Sequence, residues 1–201
     1  MKTDMLHSIA VSWVGCLNRY VKKEGTDLQK MVLGMEIFLH NIPKLVLMVF
    51  VAYLVGILPQ SLLAWLSFAI VRRYASGLHA SNSIVCMLMT LVMFVAVPYV
   101  IQDTYMSVWI LLLTFAIIGL GLYRYAPADT LAQPIIGQRK RARLKRGALT
   151  ASLFLLISAL VLNNGAFNAM IVSGALYALV AVLPLTYKIL GRSMNNYEKY
   201  E

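Results

Sequence analysis

The sequence predicts an all-α, polytopic integral membrane protein, with about six transmembrane helices behind an N-terminal amphipathic interfacial helix. Three observations carry this. The 201 residues are 60% hydrophobic and 13% charged, with mean hydropathy +0.74, whereas soluble domains are roughly 45–50% apolar and roughly 25% charged. The apolar residues fall in successive runs separated by short polar turns. Every Lys and Arg lies in the N-terminal region, at 72–73, in 124–146 or near the C-terminus, while 57–60, 102–105 and 163–168 contain none.

Residues 5–21 place Met5, Ile9, Trp13, Leu17 and Tyr20 at helical spacing, with Ser8, Ser12, Arg19 and Lys22 on the other side. This is the pattern of a helix lying in the membrane interface, or packed on the rest of the protein. It lacks the compact apolar core and cleavage site of a secretory signal. A turn at 22–27 leads to a helix expected to start near Asp27, a good N-cap residue, and to meet Pro43 before the first span at 45–58.

Further apolar segments follow at 62–71, 84–101, 108–122, 148–162 and 169–190. The second is short of the ~20 residues a span needs. It therefore thins the bilayer locally or ends inside it, leaving the polar residues after it partly recessed. Distribution of the basic residues places both termini and the basic loops on the cytoplasmic side. The chain reads as one membrane-embedded domain over 1–201: an interfacial helix at 1–23, a helical core at 27–190 and a cytoplasmic tail at 191–201.

The formal net charge of +10 is spread between apolar runs. That placement points to an anionic lipid membrane or an acidic partner, and not to nucleic acid. Cys16 and Cys86 form no disulfide framework and read as free thiols. His7 and His40 are remote in sequence and no Cys/His spacing resembles a zinc motif, so no metal and no other cofactor is expected.

The main chemical interest is the polar island from Arg72 to Cys86, which holds His79 and Cys86 seven residues apart. A thiol beside an imidazole is the pairing of a cysteine nucleophile with its general base. A straight helix would separate the two by about 10.5 Å along its axis. Ala80-Ser81-Asn82-Ser83 is turn and N-cap chemistry, so a break is expected there. With Ser83 as cap, Cys86 falls in the first helical turn, where the helix dipole favours thiolate. Gly77 permits a tight turn folding His79 back over that terminus. The alternatives are a Cys that only packs and an interfacial His that is only solvated.

Arg72-Arg73-Tyr74-Ala75-Ser76-Gly77-Leu78-His79-Ala80 with Cys86, and then Tyr125-Ala126-Pro127-Ala128-Asp129-Thr130 with Gln133-Pro134-Ile135 and a basic run, resemble the accessory gene regulator B family. These are bacterial membrane peptidases that mature quorum-sensing peptides. Ser76 departs from the pattern, many members carrying Gly there. The resemblance implies a cysteine endopeptidase that cuts a small precursor peptide with an acidic C-terminal tail. Cys86 would be the nucleophile and His79 the base. The acyl-enzyme thioester is then attacked by a side chain within the precursor, which gives a cyclic thiolactone or lactone.

Around that pair, Arg72 reads as a topogenic anchor. Arg73, which the resemblance marks, reads as a brace or a carboxylate holder. Arg139, Lys140 and Arg141 open the densest basic run, a lipid-facing loop or a dock for the acidic tail. Asp129 reads as an N-cap or as a third member orienting His79, and Glu36 as an ion-pair partner of Lys30, Lys44 or Arg73. The competing function is a small membrane transporter or exporter of a peptide, although transporters carry polar groups on several spans and these spans are nearly clean. A homodimer is one option that the sequence leaves open.

Overall fold

The computed structural model describes residues 2–77, 83–130, 135–162, 164–194 and 196–199, with the side chains of 2–5 and 198–199 left aside. All regular structure among them is helical. The chain divides into two compact units, Met1–Val51 and Ala52–Glu201.

In the first unit, α1 (Lys2–Val21) is followed by α2 (Gly25–Val55), which continues beyond the unit's end. The turn between them is held by Asn18, whose side chain accepts the N–H of Lys23 at 2.7 Å and donates to its carbonyl at 2.9 Å. Asp27 is not the cap of α2. It lies in the first turn, where negative charge suits the helix dipole, and accepts from Lys30 at 2.9 Å. Glu36, for which the sequence suggested Lys30, Lys44 or Arg73, pairs with His7 of α1. The helix passes through Pro43 without ending.

The second unit contains α3 (Leu58–Ala75), α4 (Ser83–Leu91), a π-helical turn at Val92–Ala96, α5 (Val97–Ile101), α6 (Val108–Tyr125), α7 (Gln138–Leu162), α8 (Gly165–Val180) and α9 (Pro184–Ile189). A 3₁₀ turn, Asn196–Lys199, follows. α4, the π turn and α5 form one 19-residue apolar helix. The π turn precedes Pro98, which has no N–H for the preceding turn, and Val97 reaches back five residues to the Val92 carbonyl.

Among the described residues, four helices are long and apolar enough to cross a membrane: Gly25–Val55, Ser83–Ile101, Val108–Tyr125 and Gln138–Leu162. Much of their apolar surface is exposed, as at Val100, Trp109 and Val161, as a lipid-facing surface requires. The chain is an all-helical membrane protein.

Of the two remaining segments expected to span, α3 matches α6 at 18 residues but is less apolar, and α8 is shorter at 16, about 27 and 24 Å at 1.5 Å per residue. The final segment is not one helix over 169–190. Pro184 forces Leu183 into an extended conformation, so α8 ends at Val180 and α9 is separate.

α3 and α8 are each other's principal partner. α3 buries Ser61, Ala64, Ser67, Val71 and Ala75 on one face. α8 is buried along most of its length. A Cβ on Gly174 would lie 2.2 Å from the Ala64 carbonyl oxygen, so the backbones are in contact there. Small residues permit such an approach between membrane helices, where packing rather than hydrophobicity drives association. α7 flanks the pair, with a Cβ on Gly147 meeting the Tyr74 ring at 2.4 Å, and α6 packs on α7 and α8. The apolar core of this unit runs from Val71 and Ala75 through Leu111–Leu122 and Ala148–Ala159 to Tyr187.

Candidate active site

The site begins where α3 ends. Ser76 takes φ +55° and Gly77 φ +104°, so the chain leaves the helix through two successive left-handed residues. Arg72, one turn earlier, donates its guanidinium to the Ser76 carbonyl, and the Ser76 N–H returns to the Arg72 carbonyl at 3.1 Å. Arg72 also lies over the Phe68 ring at 6.0 Å. Arg73 is exposed. The bracing contact at this helix end is therefore made by Arg72, for which the sequence favoured an anchoring role.

Gly77 has no room for a side chain. A Cβ there would meet the Ala181 carbonyl oxygen and an Arg72 nitrogen, both at 2.5 Å. Its N–H donates to the Ala128 carbonyl at 2.8 Å, and the Ala128 N–H donates to the Ala75 carbonyl at 3.0 Å. Ser76 and Ala128 thus form an isolated parallel bridge. Ala128 follows the cis Ala126–Pro127 peptide just beyond α6. The two stretches that carried the family resemblance are therefore hydrogen-bonded to each other.

His79 lies outside the described residues, as do Leu78 and Ala80-Ser81-Asn82. The chain is described again from Ser83, which opens α4 as its first helical residue. Cys86 lies in that first turn, free and half-buried, and its carbonyl accepts the Thr90 hydroxyl at 2.8 Å. Gly77 and Cys86 thus bound the segment that carries His79.

The basic run is divided by the helix that carries it. Arg139, Arg143 and Arg146, with Gln138 and Ala142, line one open pocket of about 560 Å³. Arg141 turns the other way, donating to the Ile135 carbonyl at 3.3 Å and stacking 3.8 Å from the Tyr197 ring centroid. Lys145 lies 5.2 Å over the Tyr123 ring, and Lys140 is exposed. Helical spacing i, i+4, i+7 selects the three arginines of the pocket, and sequence density alone did not separate them.

The sequence reading also passed over the far side of the bridge. Asp129 is buried, and its carboxylate accepts the N–H of Asn196 at 3.0 Å and of Tyr197 at 2.9 Å. It does cap a helix, but the 3₁₀ turn at the end of the chain and not a neighbouring one. The Tyr187 hydroxyl donates to the Asp129 carbonyl at 2.8 Å. The polar character of Ser193, Asn196 and Tyr197 carried no signal that they would be bound.

A sequence profile described as Accessory gene regulator B matches residues 12–183. The chain belongs to the accessory gene regulator B family. Among its relatives, an AgrB-like protein of Clostridium acetobutylicum is 37% identical over 185 residues, covering 92% of this chain and 88% of the relative. One from Listeria monocytogenes is 41% identical over 172 residues, covering 86% and 84%. The Accessory gene regulator protein B of Staphylococcus aureus is 32% identical over 156 residues, covering 77% and 81%. No solved structure matches the chain. The AgrB profile takes in the Arg72–Cys86 stretch, the Ala128 bridge and the arginine pocket, and stops before the C-terminal segment that Asp129 holds.

Proposed function

We propose that this AgrB-family chain is a membrane cysteine endopeptidase of quorum sensing. It cleaves the C-terminal part of a small precursor peptide and promotes cyclisation of what remains. The observation that carries the reading is Cys86, half-buried in the first turn of an apolar helix and nine residues after Gly77, at a helix end hydrogen-bonded by Arg72 and Ala128.

In this reaction Cys86 Sγ attacks the scissile carbonyl while His79 takes the thiol proton. His79 returns that proton to the leaving amine as the peptide bond breaks, which releases the tail and leaves a thioester. A thiol or hydroxyl within the precursor then attacks the thioester. Cys86 departs and recovers its proton, and the peptide closes as a thiolactone or lactone. Water must be kept from the thioester, or hydrolysis competes with ring closure. Recession of the end of α3 into the membrane surface would serve that need.

Arg139, Arg143 and Arg146 are the docking groups for the precursor's acidic tail, with exposed Lys140 beside them. Arg141 is occupied with Tyr197 and acts structurally. The protein crosses the bacterial cell membrane several times with both termini cytoplasmic. Two groups of contacts support this sidedness. The ends of α3, α6 and α8 meet around Gly77 and Ala128, while at Gly165 a Cβ would strike Tyr105 of the α5–α6 connection, which has no Lys or Arg.

Purified protein in lipid nanodiscs, mixed with a candidate precursor and followed by mass spectrometry, tests the activity. Wild type yields the cyclic peptide and the free tail, and Cys86→Ala and His79→Ala yield neither while remaining inserted. Substantial cleavage by Cys86→Ala would overturn the mechanism.

A further inference from the structure

Residues 191–201 have the composition of a solvated tail, yet part of this segment is bound. Asn196 is buried, its side chain donating to Asp129 Oδ1 at 3.4 Å and to the Ser193 carbonyl at 2.9 Å. Ser193 returns a hydroxyl to the Asn196 side chain at 2.6 Å. Two consecutive backbone N–H groups point at the two oxygens of one buried carboxylate, and the Tyr197 ring is covered by Arg141. Hydrogen bonds to a charged acceptor are among the stronger ones a fold can use. The residue before Asp129 is Ala128, whose N–H and carbonyl hold Ala75 and Gly77.

We propose that the C-terminal segment is a clamp. Through Asp129 it holds residues 126–130 against Ala75–Gly77, and so fixes the anchor from which the His79 segment departs. Asp129 is then a positioning residue, acting through the backbone of its neighbour. This rests on the Cys86–His79 reading for its consequence, but the clamp itself can be measured without it.

Hydrogen exchange and kinetics are measured on wild type, Asp129→Asn and a chain ending at Arg192, all in nanodiscs. In both altered chains exchange at the Gly77 and Ala128 amides rises about tenfold or more, while α6 and α7 keep their protection. For the cleavage reaction kcat falls about 10- to 100-fold with KM little changed, because geometry and not binding is lost. A synthetic peptide of residues 193–201 added to the shortened chain restores part of both. Tyr197→Pro, which deletes one donor to Asp129, behaves like the shortened chain, whereas Tyr197→Ala retains the donor and is milder.

Unchanged exchange at Gly77 and Ala128 would overturn the clamp. So would a loss of kcat confined to Asp129→Asn, which would instead make Asp129 a partner of the reacting groups. If wild type shows no Cys86-dependent cleavage, the peptidase reading fails, and the exchange data still decide whether the clamp exists.

Discussion

The carboxylate of Asp129 takes the backbone N–H of Tyr197 at 2.9 Å across 68 residues of chain. Through Ala128, the contact links the end of the protein to the end of α3. Three features of the second unit lie along this path: the Ser76–Gly77 exit, the Ala181 turn packed on it, and Arg141 over Tyr197 at the start of α7.

Ser76 and Gly77 both hold positive φ, but only one is glycine. Ser76→Gly should stabilise the protein by about 1 kcal/mol, since the left-handed conformation is costly for a residue with a Cβ. Gly77→Ala should destabilise it by about 2 kcal/mol or more, because backbone strain and overpacking act together. Thermal unfolding in one detergent gives the order Ser76→Gly, wild type, Gly77→Ala. A Gly77→Ala protein as stable as wild type would contradict the packing against Ala181.

The helix contact at Gly174 gives a second stability test. Gly174→Ala forces a Cβ into the Ala64 carbonyl and should cost about 1–3 kcal/mol. Gly119→Ala, on a face with nothing within 4 Å, should be neutral or stabilising by up to about 1 kcal/mol. Equal losses in the two variants would argue against close contact of α3 with α8.

Charge in the arginine pocket should govern substrate binding more than turnover. Replacing Arg139, Arg143 and Arg146 with Gln is expected to raise KM about tenfold or more with little change in kcat, the sign of lost uniform binding. Added salt should weaken wild type more than this variant, exposed charges being screened over about 8 Å at physiological ionic strength. Lys140→Gln alone should have a small effect. Arg141→Gln should lower stability more than it raises KM, because its guanidinium covers Tyr197.

Sidedness is open to direct labelling. Cysteines introduced one at a time at Gln102 and Asn164, in a chain whose own cysteines are replaced, should react with an impermeant reagent in intact cells. One at Gln138 should react only after the cells are opened. The reverse pattern would invert the proposed orientation.

Composition and hydropathy by themselves determined the fold class, the presence of an N-terminal helix and most helix positions. An apolar run in a chain with so few charges has to bury its backbone polar groups in a helix of its own, and this is a local requirement. The first-turn position of Cys86 was legible for the same reason, from the turn residues before Ser83. Tertiary structure decided the rest. Pro184 divided a run that hydropathy joined. The partner of Glu36 proved to be His7, 29 residues away, where charge bookkeeping suggested lysines or Arg73. Arg72 took the bracing contact because its position on the last turns of α3 brings it to Ser76, whereas Arg73 points outward. The hold of Asp129 on Asn196 and Tyr197 uses backbone N–H groups, which every residue but proline carries. Residue identity therefore cannot announce such a contact, and only the path of the chain brings those donors to the carboxylate.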